Sequence, residues 1–263
     1  MRTVFVLAAA VALLARPASA LSGREVVETA QRKNGFSTWH DRILETTMES
    51  YTAANLDRTR DATVTEQTDP RGEHRTFMQF TAPADVNGTC VLHLSPRNEK
   101  DQQWVWTPVT RKARRLADAS RDENFMGTDL SYRDLELIVR IQQWNDQEAT
   151  ATLEPDADVD GKPCHVVALV PKNKEFSYSR YRLWFGTADS LLWQVEVFDE
   201  DGKLFKRVRM GSYERVQDFA TARDWEVANV PYGTHTAFKI RNVRYNTGVP
   251  DEVFAVSNVQ KGS

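Results

Sequence analysis

Three aspartates at alternate positions, Asp156, Asp158 and Asp160, stand before Gly161 with the spacing at which the opening of an EF-hand loop presents oxygen ligands to Ca²⁺. The bidentate Glu that such a loop needs six residues after its glycine is absent. Val167 and Ala168 stand there, inside an apolar strand pattern, so the group reads as a solvated turn. The five histidines, His40, His74, His93, His165 and His235, are scattered singly at no metal-ligand spacing, and neither a metal site nor a cofactor is expected. The chain contains no Gly-x-Ser-x-Gly elbow, Walker loop, dinucleotide fingerprint or His-Glu-x-x-His. Asp85, Asp129 and Asp134 are candidate acids or bases, yet Pro-Ala-Asp and Gly-Thr-Asp are turn and cap chemistry, which favours a structural role. Cys90 and Cys164 leave a disulfide open, and they also suit a reading as two small buried hydrophobes. No catalytic residue is assigned, and the chain is expected not to be an enzyme.

The remaining chemistry is that of recognition. Arg111, Lys112, Arg114 and Arg115, with Arg121 shortly after, form a basic knot suited to anionic headgroups or an acidic partner surface, and equally to a charged strand edge that repels its own pairing. Trp104, Trp106, Phe125, Met126 and Tyr132 supply aromatic and polarizable groups close by in sequence, for a dry pocket or for a plain core.

What must position these groups is a chain of 263 residues, 41% hydrophobic and 27% charged, ordinary for a globular protein. The only long apolar run, Val4 to Ala15, follows Arg2 and leads to Ala18-Ser19-Ala20, the three parts of a secretory signal. It is too short to span a bilayer, which takes about 20 apolar residues. Leu21 is the expected first mature residue, although Arg16 is atypical so near a cleavage site. Without Arg2 and Arg16, 32 basic side chains face 37 acidic ones, a formal charge of −5, which argues against nucleic-acid binding. The address points to the periplasm or secretion, and a first residue that is not Cys excludes lipid anchoring by the bacterial lipoprotein route.

Ser22-Gly23-Arg24-Glu25 has capping-box spacing and predicts a helix over 22–34, ended by Gly35. From Ile43 onward short period-two segments alternate with turn chemistry, announcing antiparallel hairpins. The clearest strands are Cys90/Leu92/Leu94, Trp104/Trp106, Val166/Ala168/Val170, Tyr181/Leu183/Phe185, Leu191 to Val197, Leu204 to Met210 and Phe238 to Val243. Two further helices are expected, one from Ser131-Tyr132-Arg133-Asp134 and one from Pro250-Asp251 through Phe254 and Val256. Pro155 to Lys162 reads as a long acidic turn. The expected fold is mainly β: a strongly curved antiparallel sheet with one wet face and a few lid helices, in one domain over 21–263. Leu92 and Leu94 on one strand and Trp104 and Trp106 on the next are expected to line one surface.

The runs Phe80-Thr-Ala-Pro-Ala-Asp-Val-Asn-Gly-Thr89, Gln103-Trp-Val-Trp-Thr-Pro108, Arg111-Lys-Ala-Arg-Arg-Leu116 and Asn124-Phe-Met-Gly-Thr-Asp-Leu-Ser-Tyr-Arg-Asp-Leu135 resemble the outer-membrane lipoprotein-sorting family, relatives of the periplasmic carrier LolA and its receptor LolB. The resemblance extends more weakly through Asp201 to Lys206 and Pro250 to Phe254, and departs at Cys90-Val91-Leu92, where the family has an aromatic residue. It implies an open half-barrel whose apolar face holds acyl chains of lipoproteins or another lipid. Leu92, Leu94, Trp104, Trp106, Phe125, Met126 and Tyr132 are then candidate cavity residues, and Arg111, Arg114 and Arg115 candidate headgroup or partner contacts. The implied partners are an inner-membrane exporter and an outer-membrane acceptor, met by a monomer. A lipid hydrolase would need a Ser or His with an orienting acid, a grouping the sequence does not show.

Overall fold

The structure, a computed structural model, describes residues 21–96, 99–172 and 178–261. The leader expectation falls on residues 1–20, outside them. Among the described residues, fifteen strands and three α-helices follow in the order α1 (Gly23–Asn34), β1 (Asp41–Thr52), β2 (Asn55–Thr68), β3 (His74–Ala82), β4 (Cys90–Ser95), β5 (Gln102–Thr107), β6 (Lys112–Arg115), α2 (Tyr132–Gln142), β7 (Ala149–Val159), β8 (Lys162–Pro171), β9 (Arg180–Gly186), β10 (Leu192–Phe198), β11 (Leu204–Met210), β12 (Tyr213–Val216), β13 (Phe219–Ala222), β14 (Asp224–Asn229), β15 (Thr234–Tyr245) and α3 (Val256–Lys261).

Thirteen of the strands form one antiparallel sheet in the order β6-β5-β4-β3-β2-β1-β15-β14-β11-β10-β9-β8-β7, while β12 and β13 form a separate hairpin. The fold is therefore mainly β with few helices, as expected. Most neighbours are joined by hairpins, and the long-range pairing of β15 with β1 unites the two halves. Every strand segment expected from alternation falls in a strand of this sheet, Leu191 alone lying one residue before β10.

The first two helices begin where their caps place them. In α1 the Ser22 hydroxyl accepts the Glu25 N–H at 3.2 Å, and the Glu25 carboxylate accepts the Ser22 N–H at 2.8 Å. Val26, Val27 and Ala30, one helix face, then bury against Val167 and Leu169 of β8. Gly23 permits the docking: a Cβ there would stand 2.8 Å from the backbone of Thr152 and Leu153 in β7. In α2, Ser131 and Asp134 form the second capping box. The third expected helix is interrupted. Residues Asp251–Phe254 make a 3₁₀ turn, Ala255 is extended, and α3 starts afresh at Val256.

Two expectations need correction. Pro155 to Lys162 is not a long turn, because β7 runs on to Val159 past an irregularity between Glu154 and Ala157, and only Asp160 and Gly161, at φ 49° and 77°, turn the chain. The sheet also lacks a uniformly wet face. β4 is buried at Cys90, Val91, Leu92 and His93 in succession, and β10 along nearly its whole length. One face of the sheet is covered by α1 and α2, while α3 covers the opposite face at β4 to β6. Cys90 and Cys164 make no disulfide; they lie in separate apolar clusters.

Candidate functional site

Cross-strand register decides which side chains share the face under α1 and α2. Leu44, Val64, Met78 and Val91 are successive partners across β1 to β4, and Val195, Val208 and Val227 across β10, β11 and β14. These rows, with Val27 and Ala30 of α1 and Leu137, Ile138 and Ile141 of α2, enclose a cavity of about 320 Å³. That size lies at the lower end of small-ligand pockets, about 300 to 1,000 Å³. Trp225 and Phe238, stacked with ring centroids 3.7 Å apart, line it beside Met48 and Phe125.

Phe125 is held by a loop stapled across the sheet. Its N–H donates to Leu130 O at 2.7 Å, and Met126 and Gly127 turn the chain through the left-handed region at φ 50° and 73°. Asp129 anchors the loop to β15. Its carboxylate accepts the hydroxyls of Thr234 and Thr236, the latter at 2.7 Å, and its N–H donates to Thr236 Oγ1 at 3.0 Å. Asp129 is thus bound into structure, as the sequence favoured, and so is Asp134.

A few charged groups interrupt the apolar lining. The Asp134 carboxylate accepts from the Ser131 N–H at 2.6 Å and from Tyr178 Oη at 2.8 Å, and pairs with Lys206, itself buried. Burial, then the Asp134 charge, pushes the Tyr178 hydroxyl well above its ordinary range. Arg42 Nε donates to Glu66 at 2.7 Å. Burial alone would raise the Glu66 carboxyl, but the Arg42 charge, then His74, holds it at about 2. Burial lowers the pKa of His74.

His93, also on the lining, stands 2.8 Å from Asp101. Burial opposes the ionised Asp101, yet the His93 bond and charge, then Arg140, keep its pKa below the ordinary value. Ser95 donates to the same carboxylate at 3.2 Å rather than to the imidazole, so the group does not have the nucleophile, base, acid order of a hydrolase. On α2, burial and then Asp101 raise Glu136, which pairs with Arg121 at 2.7 Å.

Phe125, Met126 and Tyr132 come together. Tyr132 packs edge-on to Phe125 at 5.4 Å and its hydroxyl reaches the Met126 sulfur at 3.9 Å, though of the three Phe125 alone lines the cavity. Leu92, Leu94, Trp104 and Trp106 also come together, but on the other face of the sheet, against Phe254 and Val259. They form the seat of the C-terminal segment, and their assignment to the cavity is corrected. Alternation told which residues share a face, but both faces of β4 are buried, so it could not tell which one is roofed by α1 and α2.

The basic knot is divided. Arg111 sits in the β5–β6 turn at φ 51°, Arg114 lies opposite Val105 on the cavity-side face of edge strand β6, and Arg115 lies opposite Trp104 on the other face. Sequence reasoning missed the lining contributed by α1 and α2 and the Arg42–Glu66 pair. The odd-numbered apolar residues Val91 and Val105, passed over for their larger neighbours, carried a signal that could have found the face.

A family model described as an uncharacterized protein matches residues 72–261. No curated protein matches the sequence. Among solved structures, a DUF1329 family protein from Desulfovibrio piger ATCC 29098 is similar with a TM-score of 0.82 at 25% identity, over 90% of this chain and 97% of that one. A putative outer membrane lipoprotein-sorting protein domain from Vibrio parahaemolyticus gives 0.80 at 23% identity, over 90% and 97%. The LolA superfamily protein NE2245 from Nitrosomonas europaea gives 0.70 at 14% identity, over 91% and 100%. The last two share the fold of this chain.

Proposed function

The chain belongs to the DUF1329-like family, and from that premise we propose that it is a soluble periplasmic carrier, without chemistry of its own, that takes acyl chains of lipoproteins or another lipidic cargo into the cavity and passes them toward the outer membrane. The observation that carries the reading is the cavity itself. It is walled by aliphatic and aromatic side chains from both halves of the sheet and roofed by α1, α2 and Phe125. In this reading the sheet curves around the cargo as a half-barrel and the helices act as lids.

The physical need is plain: each methylene kept out of water is worth about 0.8 kcal/mol, so an acyl chain does not cross an aqueous compartment unprotected at any useful rate. A dry pocket removes that barrier. The polar groups set into the lining, Arg42 with Glu66 and Lys206 with Asp134, favour as a second reading a free lipid or hydrophobic metabolite received from an inner-membrane exporter of the resistance-nodulation-division type. Arg111 in the β5–β6 turn and Arg114 and Arg115 on edge strand β6 are the contacts proposed for an acidic partner or headgroup surface, approached by a monomer. Native mass spectrometry of the protein recovered from its own periplasm tests both readings. A co-purified lipidic mass is expected, and protein that is empty and binds no fluorescent fatty acid would overturn them.

A further inference from the structure

At the end of the sheet where β1 turns into β2, two guanidinium groups meet with no carboxylate at ion-pair distance among the described residues. Arg58 and Arg60 lie on the same face of β2 as Ala62 and Val64, and Arg60 is the cross-strand partner of Met48, which lines the cavity. Arg60 Nε and Nη1 are shut off from solvent and have no hydrogen-bond partner among the described residues. Arg58 makes one long bond, Nη1 to Gly127 O at 3.4 Å. The two tips converge: a Cβ on Gly127 would lie 2.1 Å from Arg58 Nη1 and 3.3 Å from Arg60 Nη1. Gly127 leaves that space open, and its φ of +73° suits glycine independently.

Beside them is the Tyr132 hydroxyl, whose partner is the thioether of Met126, a weak acceptor, so its O–H is available to a better one. Arg114, Glu123 and Arg60 all lie within electrostatic reach of this hydroxyl, two cations to one carboxylate. Asp85 is the carboxylate that Arg60 feels, and it stands beyond ion-pair distance. Arg58, Arg60 and Arg114 thus gather next to an apolar cavity on a protein of net negative charge, with no ion pair to any of the three among the described residues.

Two like charges side by side repel, and the two Arg60 N–H groups withdrawn from water without an acceptor add a desolvation cost. One oxyanion between them reverses both terms. Guanidinium forks match the oxygens of a phosphate group, with the tyrosine O–H as a further donor. We propose that Arg58, Arg60 and Tyr132, with Arg114 at the rim, bind the phosphate-type headgroup of the cargo while its chain runs past Phe125 into the cavity. This rests on the carrier reading and narrows the cargo to an anionic amphiphile.

Calorimetric titration of the mature chain with decyl phosphate, decanol and inorganic phosphate tests it. Decyl phosphate is expected to bind at least tenfold tighter than decanol, and inorganic phosphate at least a hundredfold more weakly than decyl phosphate. The double variant Arg58→Gln/Arg60→Gln should reduce decyl phosphate to the level of decanol, with decanol affinity unchanged and the melting temperature not lowered. Equal affinity of the wild type for decyl phosphate and decanol, or a preference that survives in the double variant, overturns the headgroup site and leaves the carrier reading standing. Inorganic phosphate bound as tightly as decyl phosphate makes this a free-oxyanion site and overturns the headgroup assignment. Binding of neither decanol nor decyl phosphate removes the carrier reading, and the headgroup site with it. Should the double variant fail to fold, Arg58→Gln alone, at an exposed position, must weaken decyl phosphate at least threefold, and a smaller effect overturns the proposal.

Discussion

Replacing Ile138 by Glu separates cavity from core more cleanly than any other single change. Ile138 lines the cavity from α2, yet it is 38% exposed, so a carboxylate there keeps water on one side. The stability cost should stay within about 1 kcal/mol, a melting shift of about 2 to 4 °C for a chain of this size. Binding should suffer far more. A chain that buries about ten methylenes gains about 8 kcal/mol, micromolar affinity, and a hydrated carboxylate that displaces three or four of them removes about 3 kcal/mol. Binding of a fluorescent fatty acid should therefore weaken about a hundredfold while the circular-dichroism melt barely moves. Leu92→Glu is the counterpart. Leu92 is 0% exposed beneath the C-terminal segment, so the same carboxylate costs several kcal/mol and lowers the melt by more than about 10 °C. An Ile138→Glu protein that binds like wild type would refute the reasoning, as would a Leu92→Glu protein that keeps its stability and loses the ligand, since that would move the cavity to the α3 face.

Acid should destabilise the fold through the Arg42–Glu66–His74 group. Glu66 is depressed from 4.5 to about 2, so its stabilisation is complete above pH 4.5 and is lost as pH falls toward 2, about 3 kcal/mol in all. His74 is depressed as well, so its contribution also falls on acidification, starting near its ordinary value of 6.5. Urea midpoints measured from pH 7 to 2.5 should decline accordingly, and Glu66→Gln should flatten the part below pH 5; an equally steep decline in that variant would contradict the assignment. Asp134→Asn strips the charge partner from buried Lys206 and should cost about 3 to 5 kcal/mol in denaturant unfolding, more than half of it recovered by adding Lys206→Met. Without that recovery the loss would belong to the helix cap rather than to the ion pair. Intact-mass analysis of the periplasmic fraction should find a chain beginning at Leu21, and a mass that retains residues 1–20 would remove the expected address.

Features settled within a few residues are legible in the amino-acid sequence alone. Ser22 with Glu25 and Ser131 with Asp134 each close a capping box inside one turn, and those helices start at the next residue. Period-two alternation located strands such as β8 to β11, because a pleated backbone sends successive side chains to opposite sides whatever surrounds it. What alternation does not contain is which side is covered, and by what. On β4 the even-numbered residues meet the C-terminal segment, while Val91 and His93 meet the cavity, a choice made by helices far away in the chain. The same limit hid Arg58 and Arg60, ordinary strand residues until Gly127 closes over them, and the pairing of Asp134 on α2 with Lys206 on β11, 72 residues further along the chain. Caps, turns and alternation depend on local dihedrals and nearby hydrogen bonds. The cavity depends on the register that brings β15 beside β1 and on the docking of α1 and α2, and these arise from burial summed over the whole chain.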